Sequence, residues 1–263
     1  MNVQRIFALA QRNFILTFRG LDPFIDFFYW PFFDIILWGF TARWMTASNS
    51  IDQMLSISLL TSLVLWQAAF RANFDISYSF LSELWSHSLV NLFASPLTKY
   101  EWIVSVMILG FFNACIAALF GTFAVWLLYG ITIFKVGLLL LPLFFLLLMS
   151  GWAIGLLTAC VLVYWGQRAE KLVWVMGWIF TPFSGVFFDI SALPAWAQKV
   201  AYVLPMSYLF SGLRLYMSTG TFPLSYLHTN IVLNILYFSA TCILFVYIFE
   251  RSRIKGLARL END

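Results

Sequence analysis

Two apolar stretches in the middle of the chain decide its fold. Residues 102–134, WIVSVMILGFFNACIAALFGTFAVWLLYGITIF, are 33 consecutive residues without a charged side chain, and residues 136–167, VGLLLLPLFFLLLMSGWAIGLLTACVLVYWGQ, are 32. A helix needs about 20 mainly apolar residues to cross the hydrocarbon core of a bilayer. Each stretch is therefore long enough for a membrane span, and Lys135, with Gly130 and Gly137 on either side, marks the turn between them.

The composition of the whole chain is that of a membrane protein. Of its 263 residues, 62% are hydrophobic, 20% are aromatic and 10% are charged, whereas soluble domains average about 25% charged residues. A soluble protein of this size could not keep 29 Phe and 12 Trp away from water. Continuous apolar stretches favour helices over the alternating strands of a membrane barrel. We predict an all-α polytopic membrane protein with a single transmembrane domain over residues 1–263.

Charged residues divide the chain into six predicted membrane spans. The first is rich in aromatic residues and carries Asp34, and the fifth is the shortest. Gly151 and Gly155, four residues apart in the fourth, are typical of close helix packing. The spans are predicted at residues 26–45, 53–73, 102–129, 136–164, 172–188 and 230–250.

The basic residues predict the orientation of these spans. An even number of spans places both termini on one side, and Lys and Arg concentrate on the cytoplasmic side. With cytoplasmic termini, eleven of the 15 basic residues are inside, and four are outside: Arg43, Lys135, Lys199 and Arg214. The inside residues are then Arg5, Arg12, Arg19, Arg71, Lys99, Arg168, Lys171, Arg251, Arg253, Lys255 and Arg259.

Residues 1–20 are predicted to form an amphipathic helix at the membrane surface. Basic residues recur every seven positions, at Arg5, Arg12 and Arg19, which places them on one face. Such a helix lies in the headgroup layer with its basic side chains on lipid phosphates; a plain soluble helix is the alternative. The opposite face carries Val3, Phe7, Ala10, Phe14 and Phe18.

A second amphipathic helix is predicted at residues 81–94, in the cytoplasmic loop between the second and third spans. Apolar residues such as Leu84 and Leu92 share one face, while Glu83 and His87 share the other. Pro96 ends the helix, because a residue before proline disfavours helical geometry. Two interpretations stay open: a solvated loop helix, or a contact element for a cytoplasmic protein.

Residues 189–214 precede the last span and are too interrupted to form a span themselves. Pro194 and Pro205 break the stretch, and Lys199 and Arg214 enclose only 14 uncharged residues. Trp196 and two tyrosines suit the level of the lipid headgroups. We predict a broken, re-entrant segment on the outer side, near the mouth of any pathway.

Groups for catalysis are sparse in this sequence. The two histidines, His87 and His228, fall in different segments, and no carboxylate pair, metal-ligand spacing or phosphate-binding glycine loop occurs. We therefore expect neither an enzyme nor a bound metal or cofactor, and no nucleic-acid partner. An intramembrane enzyme is disfavoured for the same reason.

Asp34 is the one ionisable side chain that the sequence places well inside a span. A charge in a bilayer is expensive and marks a functional site by default. Asp34 is either a hydrogen-bonded structural acid near Trp38, one turn along, or a residue of a transport pathway. Ion-driven transporters use several such groups, so a solitary acid favours an external source of energy.

Three segments resemble the type-2 ABC exporter permeases, the membrane subunits of ATP-binding-cassette transporters. SELWSHSLVNLFASPLTKYEWIVSVMILG (82–110) is similar to the coupling-helix region of that family, which leads into the third span. SGVFFDISALPAWAQKVAYVLPMSYLFSGLR (184–214) is similar to its outer segment, and RNFILTFRGLDPFIDFFYWPFFDIILWGF (12–40) to the beginning of members with Trp-Pro and Leu-Trp-Gly in the first span. The likeness covers nearly the whole chain.

The resemblance implies a transport function in the cytoplasmic (inner) membrane. Such a permease pairs with a second copy or a related chain and with two ABC ATPases, which bind the ATP and magnesium. The first, second and fifth spans would line the pathway, with Asp34 and Trp38 as possible pathway residues. The residues implied to contact the ATPase are Glu83, Leu84, Trp85, His87 and Leu92, and those of the outer gate are Pro194, Trp196 and Pro205.

The substrate stays open at the level of sequence. The family exports drugs, polysaccharides, teichoic-acid-type polymers and lipids, and the abundant aromatic residues suit sugar stacking as well as lipid-facing packing. A cationic amphiphile is favoured if Asp34 faces the pathway. The alternative function is a membrane scaffold or assembly protein that recruits a cytoplasmic partner by the loop helix and transports nothing.

Overall fold

The computed structural model describes residues 2–19, 21–47 and 53–254. Over these residues the chain forms ten α-helices and no β-strand, so the predicted all-α class is confirmed. Lys255 and Arg259, which contribute to the predicted orientation, lie outside the described residues. The helices are α1 (Val3–Phe18), α2 (Leu21–Ala47), α3 (Gln53–Trp85), α4 (Leu89–Ala94), α5 (Lys99–Tyr129), α6 (Leu140–Trp165), α7 (Lys171–Ile179), α8 (Ala195–Val203), α9 (Pro205–Thr219) and α10 (Leu224–Ile254).

Four helical stretches in the described part of the chain are long and apolar enough to cross a membrane. They are Met54–Trp85, Lys99–Tyr129, Ile133–Ala169 and Leu224–Ile254. They coincide with the second, third, fourth and sixth predicted spans, which makes the protein a multi-pass membrane protein by length and composition. Gly130, with a φ of 66°, ends α5 at the predicted turn.

The first and fifth predicted spans differ from these four. Helix α2 has 27 residues, and its length at about 1.5 Å per residue exceeds the thickness of a hydrocarbon core, about 30 Å. It is nevertheless not among the four helices that are apolar enough to cross a membrane. Helix α7 has only nine residues, so a continuous span over 172–188 is wrong. Pro182 begins a separate 3-10 turn, and Gly185 turns the chain with a φ of 77°.

Helix α3 is the centre of the molecule. It packs against α2, α5, α6, α7 and α9. A Cβ atom on Gly151 of α6 would lie 2.3 Å from the backbone oxygen of Ala69, and one on Gly155 would lie 2.8 Å from that of Asn73. The two glycines therefore let α6 approach the backbone of α3, which confirms their predicted packing role.

The helix predicted at residues 81–94 is instead two elements. Leu81 and Leu84 are buried in the core cluster around Phe80 and Trp102, so their burial continues α3 as far as Trp85. His87 then turns the chain with a φ of 49°, and α4 begins at Leu89.

The predicted re-entrant segment, residues 189–214, is broken where the sequence predicted. Pro194 precedes α8, and Pro205 begins α9, positions at which the missing N–H group of proline is tolerated. The boundaries differ, because α9 continues to Thr219 and α10 begins at Leu224 rather than at residue 230.

Helix α1 packs against α5 along one face and leaves part of the predicted apolar stripe uncovered. Its buried residues are Ile6, Leu9, Ala10 and Asn13. Val3 and Phe7 of the predicted apolar stripe are 77% and 62% exposed. Of these three stripe residues, only Ala10 is therefore covered by the protein.

Candidate functional site

A cavity of about 440 Å³ lies on one face of α3, between α2 and α7. Helix α3 supplies the floor and α2 and α7 supply the walls, since both pack on α3. Trp30 of α2 and Trp174 of α7 are each about half exposed, so the cavity is open between these two walls. The lining residues of this central cavity are Phe27, Trp30, Pro31, Asp34, Trp66, Gln67, Phe70, Arg71, Phe74, Ala117, Trp174 and Trp178.

Asp34 lies in the wall of the central cavity and is half-buried. Its carboxylate accepts a hydrogen bond from the amide of Gln67 on α3, with an N–O distance of 3.3 Å. Pro31, one turn earlier, also lines the cavity and lacks the N–H group that would bond to the carbonyl of Phe27. Asp34 thus has a neutral partner and faces a space large enough for a ligand.

Arg71 and Asp75 overturn the expectation that Asp34 is solitary. Both are buried within α3, where Nε and Nη2 of Arg71 donate to Oδ1 of Asp75 at 3.0 and 2.7 Å. Asn113 of α5 donates to Oδ2 of Asp75 at 3.0 Å. Arg71 therefore belongs to an internal ion pair and not to a cytoplasmic loop, where the sequence placed it.

Trp38 does not line the central cavity. Its ring stacks on that of Phe187, with centroids 4.1 Å apart and planes inclined by 17°. Because Trp38 follows Asp34 by one turn of α2, this stack ties α2 to the segment after α7 just beyond the acid. The structural interpretation of Asp34 as a partner of Trp38 is not supported; its hydrogen-bond partner is Gln67.

The five residues implied to contact an ATPase are not equally accessible. Glu83 is 2% exposed and Leu84 is fully buried, so neither contacts another protein in this conformation. Trp85 and His87 are exposed, and Leu92 is half-buried against the core. The reason is that α3 carries Glu83 and Leu84 into the core before the chain turns.

Glu83 and the residues that follow it are joined to α1 by an ion pair and a hydrogen bond. Arg12 pairs with Glu83 at 2.7 Å, and the hydroxyl of Ser88 donates to the other oxygen of the same carboxylate. Arg5 donates to the carbonyl of Pro96 at 2.5 Å. Two of the three arginines predicted to contact lipid phosphates therefore bind the basal segment, which we define as residues 83–101.

The C-terminal end of the basal segment, residues 98–101, is also held by hydrogen bonds and an ion pair. The backbone N–H of Asn2 donates to Glu101 at 2.6 Å, and Glu101 and Thr98 cap α5 reciprocally. Lys99 pairs with Glu250 of α10. The spacing Thr-x-x-Glu at 98–101 is a sequence signature of a helix start, so this cap was visible in the sequence, although the contact with Asn2 was not.

A third contact joins the basal segment to the chain between α6 and α7. The indole of Trp85 donates to Glu170 at 3.1 Å, and Gln167 donates to the carbonyl of Leu84 at 3.0 Å. The exposed residues of the basal segment are therefore coupled through this connection to α7, one wall of the central cavity.

The three predicted gate residues lie at different depths. Pro194 and Trp196 are exposed, and Pro205 is buried. Trp196 packs its ring against Phe183, and the carbonyl of Pro205 accepts a hydrogen bond from Asn230 of α10 at 2.6 Å. The two prolines lie at the beginnings of successive helices. No hydrogen bond or ring contact among the described residues joins the three predicted gate residues to one another.

Arg214 joins residues 189–214 to the segment after α7. Its Nη2 donates to the carbonyls of Gly185 and Val186 at 2.5 and 3.2 Å. Burial by itself would raise the pKa of Asp189, but the hydrogen bonds from Ser191 and the charge of Arg214 outweigh it and lower that pKa below its usual range. Arg214 is thus a structural residue of this segment.

Sequence reasoning missed Gln67, Arg71 and Asp75, which line or support the cavity. The spacing of Arg71 and Asp75, four residues apart on one helix, is a local signal for an ion pair, whereas the contact of Gln67 with Asp34 joins two helices and has no local signal. Compared with protein-family models and with curated protein sequences, the chain gives no significant match.

Proposed function

We propose that this protein is the permease subunit of an ATP-driven exporter in the cytoplasmic membrane. The observation that carries the proposal is the central cavity, because it lies between α2, α3 and α7, which correspond to the first, second and fifth spans that the resemblance assigns to the pathway. An acid and several exposed aromatic side chains in an open cavity suit a route for a ligand better than they suit a packed core.

The proposed assembly contains two copies of this chain and two separate ABC ATPases. Both termini face the cytoplasm, six segments cross the membrane with α2 as the first and α7 together with the broken chain that follows it as the fifth, and residues 189–214 form a re-entrant element at the outer side. The open side of the central cavity then faces the second copy. We infer that the Trp38–Phe187 stack, which joins α2 to the segment after α7 beyond Asp34, is the barrier between the cavity and the outer side.

The proposed ATPase contact is the exposed part of the basal segment. Trp85 and His87 belong to it as the resemblance implies, and Val90 and Asn91 on α4 are exposed beside them. Movement of this surface would pass to α7 through the hydrogen bond from Trp85 to Glu170. ATP hydrolysis in the partner would thereby change the spacing of α7 and α2.

The experiment is co-purification with a candidate ABC ATPase, followed by transport in proteoliposomes. We expect the double substitution Trp85→Ala, His87→Ala to abolish co-purification and ATP-driven transport. The control is Trp165→Ala, which removes another exposed tryptophan at the end of α6. An ATPase that does not co-purify contradicts the proposal. A stable complex without ATP-driven transport identifies a scaffold instead.

A further inference from the structure

We propose that the central cavity binds an organic cation with a bulky apolar body, and that Asp34 is its counter-ion. This names the substrate class of the permease, and it rests on the proposed function for transport although not for binding. The argument uses the charge balance of the cavity, the chemistry of its aromatic walls and its size.

The charge balance of the cavity leaves one acid without a cation. Asp34 and Arg71 are the two charged residues among the lining residues, all of which the structure describes. Arg71 is neutralised by Asp75, to which it donates twice, whereas Asp34 accepts from the neutral Gln67 at 3.3 Å. A carboxylate in apolar surroundings is costly unless a cation pairs with it, so a cationic ligand supplies the missing partner.

The walls of the cavity are suited to the rest of such a ligand. Seven of the twelve lining residues are Phe or Trp, and aromatic faces attract cations, tryptophan most strongly. The cavity already contains this interaction, because the guanidinium of Arg71 lies 4.7 Å from the ring centre of Phe27 and 4.9 Å from that of Phe74. Trp30, Trp174 and Trp178, which line the same cavity as Asp34, are each about half exposed.

The size of the cavity excludes small inorganic cations as the fitting ligand. About 440 Å³ falls within the range of about 300–1,000 Å³ typical of sites for drug-sized molecules. Small hard cations prefer several oxygen ligands, and this cavity offers few oxygens beside Asp34 and Gln67. An anion would be repelled by the carboxylate of Asp34, and Arg71 could not compensate because it already forms an ion pair with Asp75.

The test compares two probes of nearly the same size and shape but opposite charge, tetraphenylphosphonium and tetraphenylborate. Each is measured by equilibrium dialysis against the purified full chain in detergent, with protein-free micelles as the blank. We expect the phosphonium to bind at least about tenfold more tightly than the borate. Asp34→Asn should remove this preference, and Asp34→Glu should keep it. The control is Asp189→Asn, which removes an acid outside the cavity and should leave binding unchanged.

Equal affinity for the two probes overturns the proposal, as does an Asp34→Asn variant that retains the full preference. If Asp34→Asn does not yield a monodisperse protein, the two-probe comparison on the unaltered chain decides alone. The binding assay contains no ATPase. Cation binding without ATP-driven transport therefore rejects the proposed function and keeps the site, while transport that is indifferent to Asp34→Asn rejects the cation and keeps the permease.

Discussion

Glu83 and Asp34 are two carboxylates in apolar surroundings whose partners give them different roles. Glu83 is buried against Arg12 and Ser88, so its charge is compensated inside the chain and it stabilises the basal segment. Among the described residues, Asp34 has the amide of Gln67 as its hydrogen-bond partner, and it faces an open cavity. A buried acid with a cation is structural, whereas an acid that lacks one is available to a ligand.

Arg12→Gln should destabilise the protein by about 1–3 kcal/mol, because the substitution leaves the carboxylate of Glu83 buried without its cation. Adding Glu83→Gln to the same chain should recover most of the loss, since the neutral amide can still bond to Ser88. Thermal unfolding of the single and double variants in detergent measures this. Arg19→Gln is the control, as Arg19 is exposed; equal losses for Arg12 and Arg19 would contradict the pairing.

The Asp189 carboxylate should make a pH-dependent contribution to stability. Because its pKa is lowered in the folded chain, its contribution is complete above the ordinary aspartate pKa of about 3.9 and is lost as the pH falls through the lowered value. Asp189→Asn keeps a hydrogen-bond acceptor for Ser191 but removes the charge. Thermal midpoints should therefore differ between the two proteins at pH 6 and converge under acidic conditions. A difference in thermal midpoint that grows as the pH falls would contradict this prediction.

At the scale of elements, glycines decide how closely α6 approaches α3. Gly151 allows contact with a backbone oxygen, which cannot move away as the end of a side chain can. Gly121 of α5, by contrast, faces the side chain of Val64 at 3.3 Å from its missing Cβ. The same substitution therefore has different consequences at the two positions.

Gly151→Ala should cost about 1–3 kcal/mol of stability by overpacking the α3–α6 contact. Gly121→Ala should change stability by less than about 1 kcal/mol, because the gain in helix propensity offsets a small shift of Val64. Thermal unfolding of both variants under the same conditions provides the comparison. A Gly151→Ala variant as stable as the Gly121→Ala variant would show that α6 lies farther from α3.

At the scale of the molecule, one central helix organises two separate regions. The middle of α3 is the floor of the cavity, and its end at Trp85 carries the basal segment. The connection through Glu170 reaches α7 from that end. A single rigid element therefore joins the proposed ATPase contact to the proposed pathway, which is the arrangement that coupled transport requires.

Trp38→Ala should increase leakage of a membrane-impermeant fluorescent organic cation through proteoliposomes in the absence of ATP. The stack on Phe187 contributes about 1 kcal/mol, so we expect a leak about fivefold faster than in the unaltered protein, measured by the release of fluorescence. Trp44→Ala, on the same helix but 70% exposed, is the matched control. A leak unchanged by Trp38→Ala would mean that the stack does not close the cavity.

The sequence alone determined the class of the molecule and most of its long helices. Uncharged stretches such as 102–134 leave a helix in an apolar environment as the stable choice. Pro194, Pro205 and Gly130 lie at helix boundaries because their backbone constraints are local. Even the cap at Thr98 is a local pattern.

Only the tertiary structure decided which polar groups meet. Arg71 and Asp75 lie in the interior although the sequence placed Arg71 on the cytoplasmic side, Glu83 pairs with Arg12, and Asp34 meets Gln67 across two helices. These contacts join residues up to 71 positions apart. Their contribution to stability depends on how deeply the residues are buried, which a local sequence pattern does not predict. The length of α3 follows from the same cause, since packing of Leu81 and Leu84 in the core continues the helix past its apolar span.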